Sequence, residues 1–541
     1  MRVIIIGGVA GGMSAATRLR RLNESAEIIV LERSGYVSFA NCGLPYHVGG
    51  VIEERSALLL QTPASLADRF RLDVRLNTEA IEIDRGRRVV VARDARGTEE
   101  LPYDKVILSP GARPLRPPIP GIERALSLRG VEDLDAIVAA AAGSRTAVVI
   151  GGGFIGVEMA ENLVHRGLRV ALVEALPQVM APLDPEMAAP VHDALREHGV
   201  TLHLSDQVTA IGADTVTTAS GATLPADLVI AALGVRPETR LATDAGLTLG
   251  PRGGIAVDAR HRTDDPDIYA VGDAAEKVGA LDGEPILVPL ANTANLAGRR
   301  VADDIAGLPG TARRVLGTAI VGVFGLQVAS TGVNEKRLRD AGRRHRVIHT
   351  HPSSHAGYYP GAESLALKLL VDPESDAILG AQGVGRAGVD KRIDVIATAM
   401  AGGITASGLA ELELAYAPQF GSAKDPVNLL GHVADNLRSG VARSLQWHEL
   451  DAAVAAGATV VDVRTPTEFA AGAIPGALPI PMDELRDRLG ELPDGPLVVH
   501  CAVGVRGHTA ARILTQHGRD AVNLDGGYVT WRAGTQEVGA A

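Results

Sequence analysis

Cysteine is nearly absent from this chain: two occur in 541 residues, at positions 42 and 501. Two thiols cannot build a disulfide framework, and each lies in a distinctive loop, so reactivity is the reason to expect them there. Runs of positive charge are also missing. With 53 basic against 64 acidic side chains and a formal charge of -11, neither nucleic acid nor an anionic membrane is expected as the main partner. A long hydrophobic run is the third absence: residues 1–12 are apolar but carry no basic flank or cleavage site, and glycines interrupt them before a bilayer could be crossed. The expectation is a cytoplasmic enzyme. Its 46% hydrophobic and 22% charged residues are ordinary for globular protein, and the length asks for three or four domains.

The β-branched run Arg2-Val3-Ile4-Ile5-Ile6 predicts a strand, Gly7-Gly8-Val9-Ala10-Gly11-Gly12 a turn, and Met13, Ala16 and Leu19 a helix. A second strand, Glu27 to Leu31, ends at Glu32, twenty residues beyond Gly12, where an acid can accept hydrogen bonds from a ribose. Gly7 and Gly12 let the backbone approach a pyrophosphate at the helix N-terminus, although the middle position of G-x-G-x-x-G is Val9. The pattern recurs in full: Thr146 to Ile150 leads into Gly151-Gly152-Gly153-Phe154-Ile155-Gly156, and Val170 to Val173 ends at Glu174. Two dinucleotide folds are therefore predicted. Glu174 repels a 2′-phosphate and Ala175-Leu176-Pro177-Gln178 offers no arginine to hold one, which favours NADH while leaving NADPH possible.

Ile268-Tyr269-Ala270-Val271-Gly272-Asp273 resembles the second FAD fingerprint of the pyridine nucleotide-disulfide oxidoreductase family, in which the aspartate binds the ribityl chain. Ser109-Pro110-Gly111-Ala112 and Leu233-Gly234-Val235-Arg236-Pro237 resemble that family's crossovers between FAD and NAD domains. The resemblance implies an α/β chain with two Rossmann-like domains and an α+β dimerisation domain. FAD binding would occupy 1–112 and 240–324, NAD binding 113–239, and dimerisation 325–440.

Many members of that family carry C-x4-C, whereas here Cys42 is followed four residues later by Tyr46 and then by His47 in place of the second cysteine. Ser38-Phe39-Ala40-Asn41-Cys42-Gly43-Leu44-Pro45-Tyr46 instead resembles the single-cysteine branch of coenzyme A-disulfide reductases, NADH oxidases and peroxidases, and CoA-persulfide reductases. An external sulfur compound or peroxide must then be the oxidant, and the flavin site is expected to lower the pKa of Cys42, since a free thiol near ~8.5 is mostly protonated at neutral pH. A departing thiolate needs a proton. Leu414-Ala415-Tyr416-Ala417-Pro418 and Ala423-Lys424-Asp425-Pro426 resemble the segment that brings a tyrosine from the partner subunit, making Tyr416 the donor; Tyr358, with Tyr359 adjacent, resembles the second tyrosine. The helix reading Ser14-Ala15-Ala16-Thr17-Arg18 lacks the histidine expected of peroxidase-like members. The resemblance places CoA against Ser14, Arg18, Arg21, Ser38, Asn41, Lys424 and His432, with Arg20, Arg69 and Arg71 nearby as further basic groups.

After Asn436 the chain restarts. Asp462-Val463-Arg464, Glu468-Phe469, Gly472 to Ala477, Cys501-Ala502-Val503-Gly504-Val505-Arg506 and Gly526-Gly527-Tyr528 with Trp531 resemble a rhodanese domain, placed at 441–541 with an α/β fold. In such a loop backbone N–H groups stabilise a thiolate or persulfide on Cys501, and Arg506 is the expected binder of an anionic sulfur donor. The histidines 345, 349, 351 and 355 have the spacing of a strand running into a loop, and no metal is expected. Taken together, the resemblance implies an FAD-dependent NAD(P)H reductase of CoA disulfide, CoA persulfide or polysulfide, acting as a homodimer and coupled to sulfur transfer. An NADH oxidase or peroxidase on the same scaffold, and a CoA-bound sulfur carrier without redox turnover, are the alternatives.

Overall fold

The computed structural model describes residues 1–310 and 314–538. They form two compact units: Met1–Val173 with Gly199–Gly317, and Glu174–His198 with the chain from Thr318 onward.

The first unit is built on a parallel five-stranded sheet with the spatial order Ile268–Ala270, Lys105–Leu108, Arg2–Ile6, Glu27–Leu31, Asp73–Arg75. Val3, Ile4 and Ile5 are wholly buried, as a parallel strand covered on both faces requires. Burial of each such side chain is worth about 1.5–3 kcal/mol. The helix Ala10–Leu22 packs Met13, Ala15, Ala16 and Leu19 inward, so its N-terminus lies just past the end of Arg2–Ile6. A second parallel sheet, Thr201–His203, Arg169–Val173, Thr146–Ile150, Leu228–Ala231, repeats the design, with the helix Phe154–His165 following its glycine turn. Both turns thus sit at the carboxyl ends of parallel strands, where open α/β sheets bind their ligands. The two segments expected to cross between dinucleotide domains meet: Ala112–Pro114 pairs antiparallel with Val235–Pro237.

The second unit contains an antiparallel sheet, Ala319–Val323, Leu326–Gly332, Ile378–Gly385, Leu365–Val371, Arg346–Thr350. The helices Val389–Gly402 and Pro426–Arg438 close a core over it with Leu367, Leu369, Ile393, Ile396 and Leu430. A parallel sheet follows, Ser444–Leu445, Ala521–Leu524, Leu497–His500, Thr459–Asp462, Leu478–Pro479. The helix after Cys501 runs from Val505 to Gln516.

One helix departs from the expected domain plan. Pro185–Glu197 lies inside the segment assigned to NAD binding, yet it belongs to the second compact unit. The reason is electrostatic: Lys368, fully buried, holds Asp184 at 2.9 Å, Glu186 at 2.5 Å and Glu335 at 2.6 Å. Burial alone would lower the lysine's pKa, but the three carboxylates outweigh it and hold the ammonium above its usual range. Among the described residues no helix is long and apolar enough to cross a membrane.

Candidate functional site

The first glycine turn is fixed by steric necessity. Gly7 has φ +107°, and a Cβ there would lie 2.0 Å from the Ser109 carbonyl oxygen; a Cβ on Gly12 would lie 2.0 Å from the carbonyl oxygen of Gly7. In the second turn, Gly151 at φ +104° and Gly156 repeat those constraints, the latter's Cβ falling 1.9 Å from the Gly151 oxygen. Gly153 differs: its φ is -77° and a Cβ would meet no described atom within 4 Å. The middle glycine therefore serves no internal contact, which explains how Val9, with φ -115°, can stand at the matching place in the first turn. Glu32 is buried and braces that turn, one carboxylate oxygen accepting from the Gly8 N–H at 2.8 Å and the other from the Ser34 N–H at 2.9 Å. Glu174 accepts from the Leu176 N–H at 2.8 Å.

Asp273 follows Gly272, whose φ is +73°, and burial pushes its carboxyl up, against the opposing charges of Lys277 and Arg129. Lys277 is itself pushed down to about 8 by burial, while its Nζ donates to the carbonyls of Gly272 and Val288 at 2.8 and 3.0 Å. A largely desolvated carboxyl following Gly272, with no side-chain hydrogen bond of its own among the described residues, suits the hydroxyls of a ribityl chain. These residues fit an FAD cradle, and those around Gly151–Gly156 fit a second dinucleotide.

Cys42 lies on the single turn Asn41–Gly43 leading into the helix Leu44–Val48, and it is exposed. Its loop is tied to the first glycine turn through Ser38, whose N–H donates to the Gly8 carbonyl at 2.8 Å and whose φ of +49° is rare for a residue with a side chain. His47, in the position of a second cysteine, donates through Nδ1–H to the Ile52 carbonyl at 2.7 Å. The expected depression of the Cys42 pKa is not supplied by the chain. Partial desolvation raises it, and the carboxylates of Glu158 and Asp273 raise it further. Glu158, which the sequence reading missed, accepts from the Tyr46 hydroxyl at 2.9 Å, and burial pushes its own pKa up to about 7, with Glu161 adding and the Tyr46 bond opposing. A glutamate two residues after a G-x-G-x-x-G motif carries no local signal of this kind, because the partner is more than a hundred residues away.

The residues expected to hold CoA are in varied states. Ser14 Oγ donates to Asn295 at 2.6 Å and Arg18 to Asp303 at 2.7 Å, so both are already engaged, while Arg21 and Asn41 are exposed. Arg20 is a structural group, buried and donating to the carbonyls of Phe70, Asn23, Glu24 and Arg71. Arg69 is exposed, and Arg71 pairs with Glu24 at the end of its helix. In the second unit Lys424 and His432 are exposed. Tyr358 and Tyr416 share a hydrogen bond at 2.8 Å, whereas Tyr359 turns its ring edge-on to His355; the structure pairs Tyr358, rather than its neighbour, with Tyr416.

Cys501 contrasts with Cys42 in being wholly buried. The Gly504 N–H donates to its Sγ at 3.2 Å, in a loop whose Gly504 takes φ +94° before the helix begins. Arg506 is bidentate to Glu468, at 2.6 and 2.8 Å, and its pKa is raised by that pairing and by the nearby Cys501. The expected anion binder thus arrives with a carboxylate already on it, held at about 2 by the guanidinium. Among the histidines, His345, His349 and His351 meet protein groups: His349 spans Asp525 and Glu186 at 2.8 and 3.1 Å. The carboxylate trio Asp184, Glu186 and Glu335 has metal-like proximity, but Lys368 fills it with its own charge.

Two glycine turns at sheet ends, a lone exposed cysteine beside the first, and a second cysteine in a tight loop before a helix define a two-dinucleotide thiol oxidoreductase with an appended sulfur-handling domain. The chain belongs to the pyridine nucleotide-disulphide oxidoreductase family, whose model matches residues 1–294, with that family's dimerisation domain matching 318–426 and a rhodanese-like domain matching 446–534. It is 34% identical over 440 residues to the coenzyme A disulfide reductase of Staphylococcus aureus strain JH9, covering 80% of this chain and 99% of that one. The crystal structure of reduced Bacillus anthracis CoADR-RHD is 47% identical and superposes with TM-score 0.97, covering 99% of this chain and 98% of the other. An NAD-dependent persulfide reductase from A. fulgidus is 39% identical with TM-score 0.93, covering 98% and 100%.

Proposed function

We propose that this protein reduces coenzyme A disulfide or coenzyme A persulfide with NADH, through Cys42, and feeds that reaction with sulfane sulfur carried on Cys501. The observation that carries the reading is the exposed, unpaired Cys42 in a strained loop hydrogen-bonded to the first glycine turn, with His47 where a resolving cysteine would stand. FAD, when bound, relays two electrons from the nicotinamide to sulfur. Gly7, Gly12, Glu32, Gly111 and Asp273 would hold it, and Gly151, Gly153, Gly156 and Glu174 would hold NADH, with NADPH disfavoured by the Glu174 carboxylate.

Cys42 thiolate attacks one sulfur of the CoA disulfide; the S–S bond breaks, one CoA thiolate leaves and takes a proton, and Cys42 retains the other CoA as a mixed disulfide. Two electrons then cleave that bond and return Cys42 and a second CoA thiol. With a CoA persulfide the leaving group is sulfide. Tyr416, hydrogen-bonded to Tyr358, supplies the proton to the departing thiolate, delivered from a partner subunit of a homodimer. Ser14, Arg18, Arg21, Ser38, Asn41, Lys424 and His432 bind the phosphates and pantetheine arm of CoA. Cys501 accepts sulfane sulfur under the control of Arg506, and the enzyme works in the cytoplasm.

The test is an anaerobic NADH titration of the purified enzyme combined with mass spectrometry of the non-reduced protein. CoA is expected on Cys42 and released as thiol on reduction. Flavin reduction without thiol release defeats the reading; oxygen or peroxide consumption that persists without CoA makes the protein an oxidase or peroxidase, and negligible NADH turnover on every sulfur compound makes it a carrier.

A further inference from the structure

The strand Arg346–Thr350 and the residue after it place two histidines against the segment that supports the Cys501 loop. His349 donates from Nδ1 to Asp525 at 2.8 Å and from its backbone N–H to the same carboxylate at 2.9 Å, while His351 and Thr530 share a hydrogen bond at 2.7 Å. Between those anchors lie Gly526 and Gly527, both left-handed. A Cβ on Gly526 would meet Thr530 at 2.0 Å and His349 at 2.9 Å, and one on Gly527 would meet the Cys501 carbonyl oxygen at 2.5 Å and the Gly504 nitrogen at 2.8 Å. The chain then donates the Tyr528 N–H to the Cys501 carbonyl at 2.8 Å and the Val529 N–H to the Ala502 carbonyl at 3.0 Å. With those two carbonyls tied back, the Gly504 N–H is left to face Sγ.

We propose that His349 is a positioning residue for the Cys501 loop, acting through Asp525 and Gly526–Gly527, so that the sulfur-transfer site extends onto the antiparallel sheet of the second unit. This rests on the reading of Cys501 as a sulfane-sulfur acceptor. In that step Cys501 thiolate attacks the outer sulfur of a polysulfide; its S–S bond breaks, the new Cys501 S–S bond forms, and the shortened polysulfide leaves with the electron pair and takes a proton. His349 touches neither reactant. It holds the loop in which the Gly504 N–H meets the sulfur.

The imidazole is embedded among charges that fix its state. Asp525 and Glu186 flank it, Lys368 lies beyond Glu186, and His351 lies on the same edge; burial favours the neutral ring, but the two carboxylates prevail and push its pKa up to about 9. His351, buried beside that charge, is pushed down to about 3 and stays neutral. The sign follows: a histidine raised above its unfolded value contributes its full stabilisation below about 6.5 and loses it as pH rises through about 9. The loop is therefore expected to loosen on the alkaline side.

The experiment uses the full-length holoenzyme and inorganic tetrasulfide, with persulfide formation at Cys501 followed by mass spectrometry in single turnovers. His349→Leu should lower the maximal rate about tenfold or more, the scale of a displaced reacting group. The tetrasulfide concentration at half-maximal rate should stay within about twofold, because donor contacts are untouched. His349→Gln, which keeps one donor toward Asp525, should recover most of the rate, and hydrogen exchange at Tyr528 and Val529 should quicken in the leucine variant alone. A wild-type rate in His349→Leu, or a glutamine variant no better than leucine, overturns the proposal. Should the leucine variant fail to fold, Asp525→Asn decides, since that is the group through which His349 acts and an unchanged maximal rate there overturns the proposal equally. If wild-type Cys501 takes up no sulfur at all, it is the underlying reading that fails.

Discussion

Cys42 and Cys501 are held in opposite ways by the same chain. Cys42 stands exposed on one short turn, its pKa raised by partial desolvation and by the carboxylates of Glu158 and Asp273. Cys501 is buried under a loop that offers it the Gly504 N–H and places Arg506 within electrostatic reach. An exposed thiol whose pKa is raised by neighbouring carboxylates suits a bulky substrate and a redox group that supplies the missing electrophilic environment. A buried thiol facing a fixed backbone donor suits a small sulfur cargo that needs no cofactor. On the proposed reading, Cys42 depends for its activation on what binds beside it, whereas Cys501 has a backbone donor that the fold already provides.

The sharpest way to break this contrast is to delete each thiol. Cys42→Ser should abolish NADH-dependent release of both CoA thiol and sulfide, at least about a thousandfold, as removal of a nucleophile does. Cys501→Ser should depress sulfide release from polysulfide while leaving CoA-disulfide reduction nearly intact. Sulfur-dependent rates that ignore Cys501→Ser would leave its domain with an independent role. The cofactor side is the next largest effect: NADH should exceed NADPH in kcat/KM by about tenfold or more through Glu174, a difference of ~1.4 kcal/mol. Equal values for the two would remove Glu174 from the account.

A smaller effect concerns Arg506, a cation that interacts with Cys501. An anionic donor must share Arg506 with Glu468, whose side chains are 36% and 34% exposed. Glu468→Gln should raise the rate with thiosulfate about threefold over the unaltered enzyme, the scale of a partly exposed ion pair. A rate that does not move would show that the donor never meets the guanidinium. The finest test is on Cys42. Glu158 ionises as pH rises through about 7 and then opposes ionisation of the thiol. In Glu158→Gln the alkylation of Cys42 by iodoacetamide should therefore gain at pH above 7 and be unchanged well below it; a gain that is the same at every pH would mean that packing, not charge, had altered.

Much of this was legible before any coordinates. Strand, turn and helix around Gly7 and Gly151 follow from local pattern, because a glycine with φ above +70° and no room for a Cβ leaves its mark in a few consecutive residues. The same holds for the loops bearing Cys42 and Cys501 and for the strand carrying His349. What the sequence could not display are the partners of charged groups. Arg506 meets Glu468 across 38 positions, Tyr46 meets Glu158 across 112, and His349 meets Asp525 across 176. Coulomb pairing in a folded core depends on three-dimensional proximity and leaves no periodicity behind. The helix Pro185–Glu197 is the clearest instance: its place in the chain assigns it to one sheet, and its acids assign it to another unit.

The cage around Lys368 also sets a schedule for biosynthesis. Asp184 and Glu186 are made long before the ammonium that neutralises them, which lies 182 residues beyond Glu186. At about 5–20 residues per second, that interval is roughly 10–40 s on the ribosome. During it the two acids lack the counter-charge that permits their burial, so burial of Asp184 and of the helix that follows it is expected to await Lys368. Asp525, the carboxylate that reaches the cluster through His349, is made 176 residues after that histidine, so the sheet it follows joins the cluster later than the antiparallel sheet does.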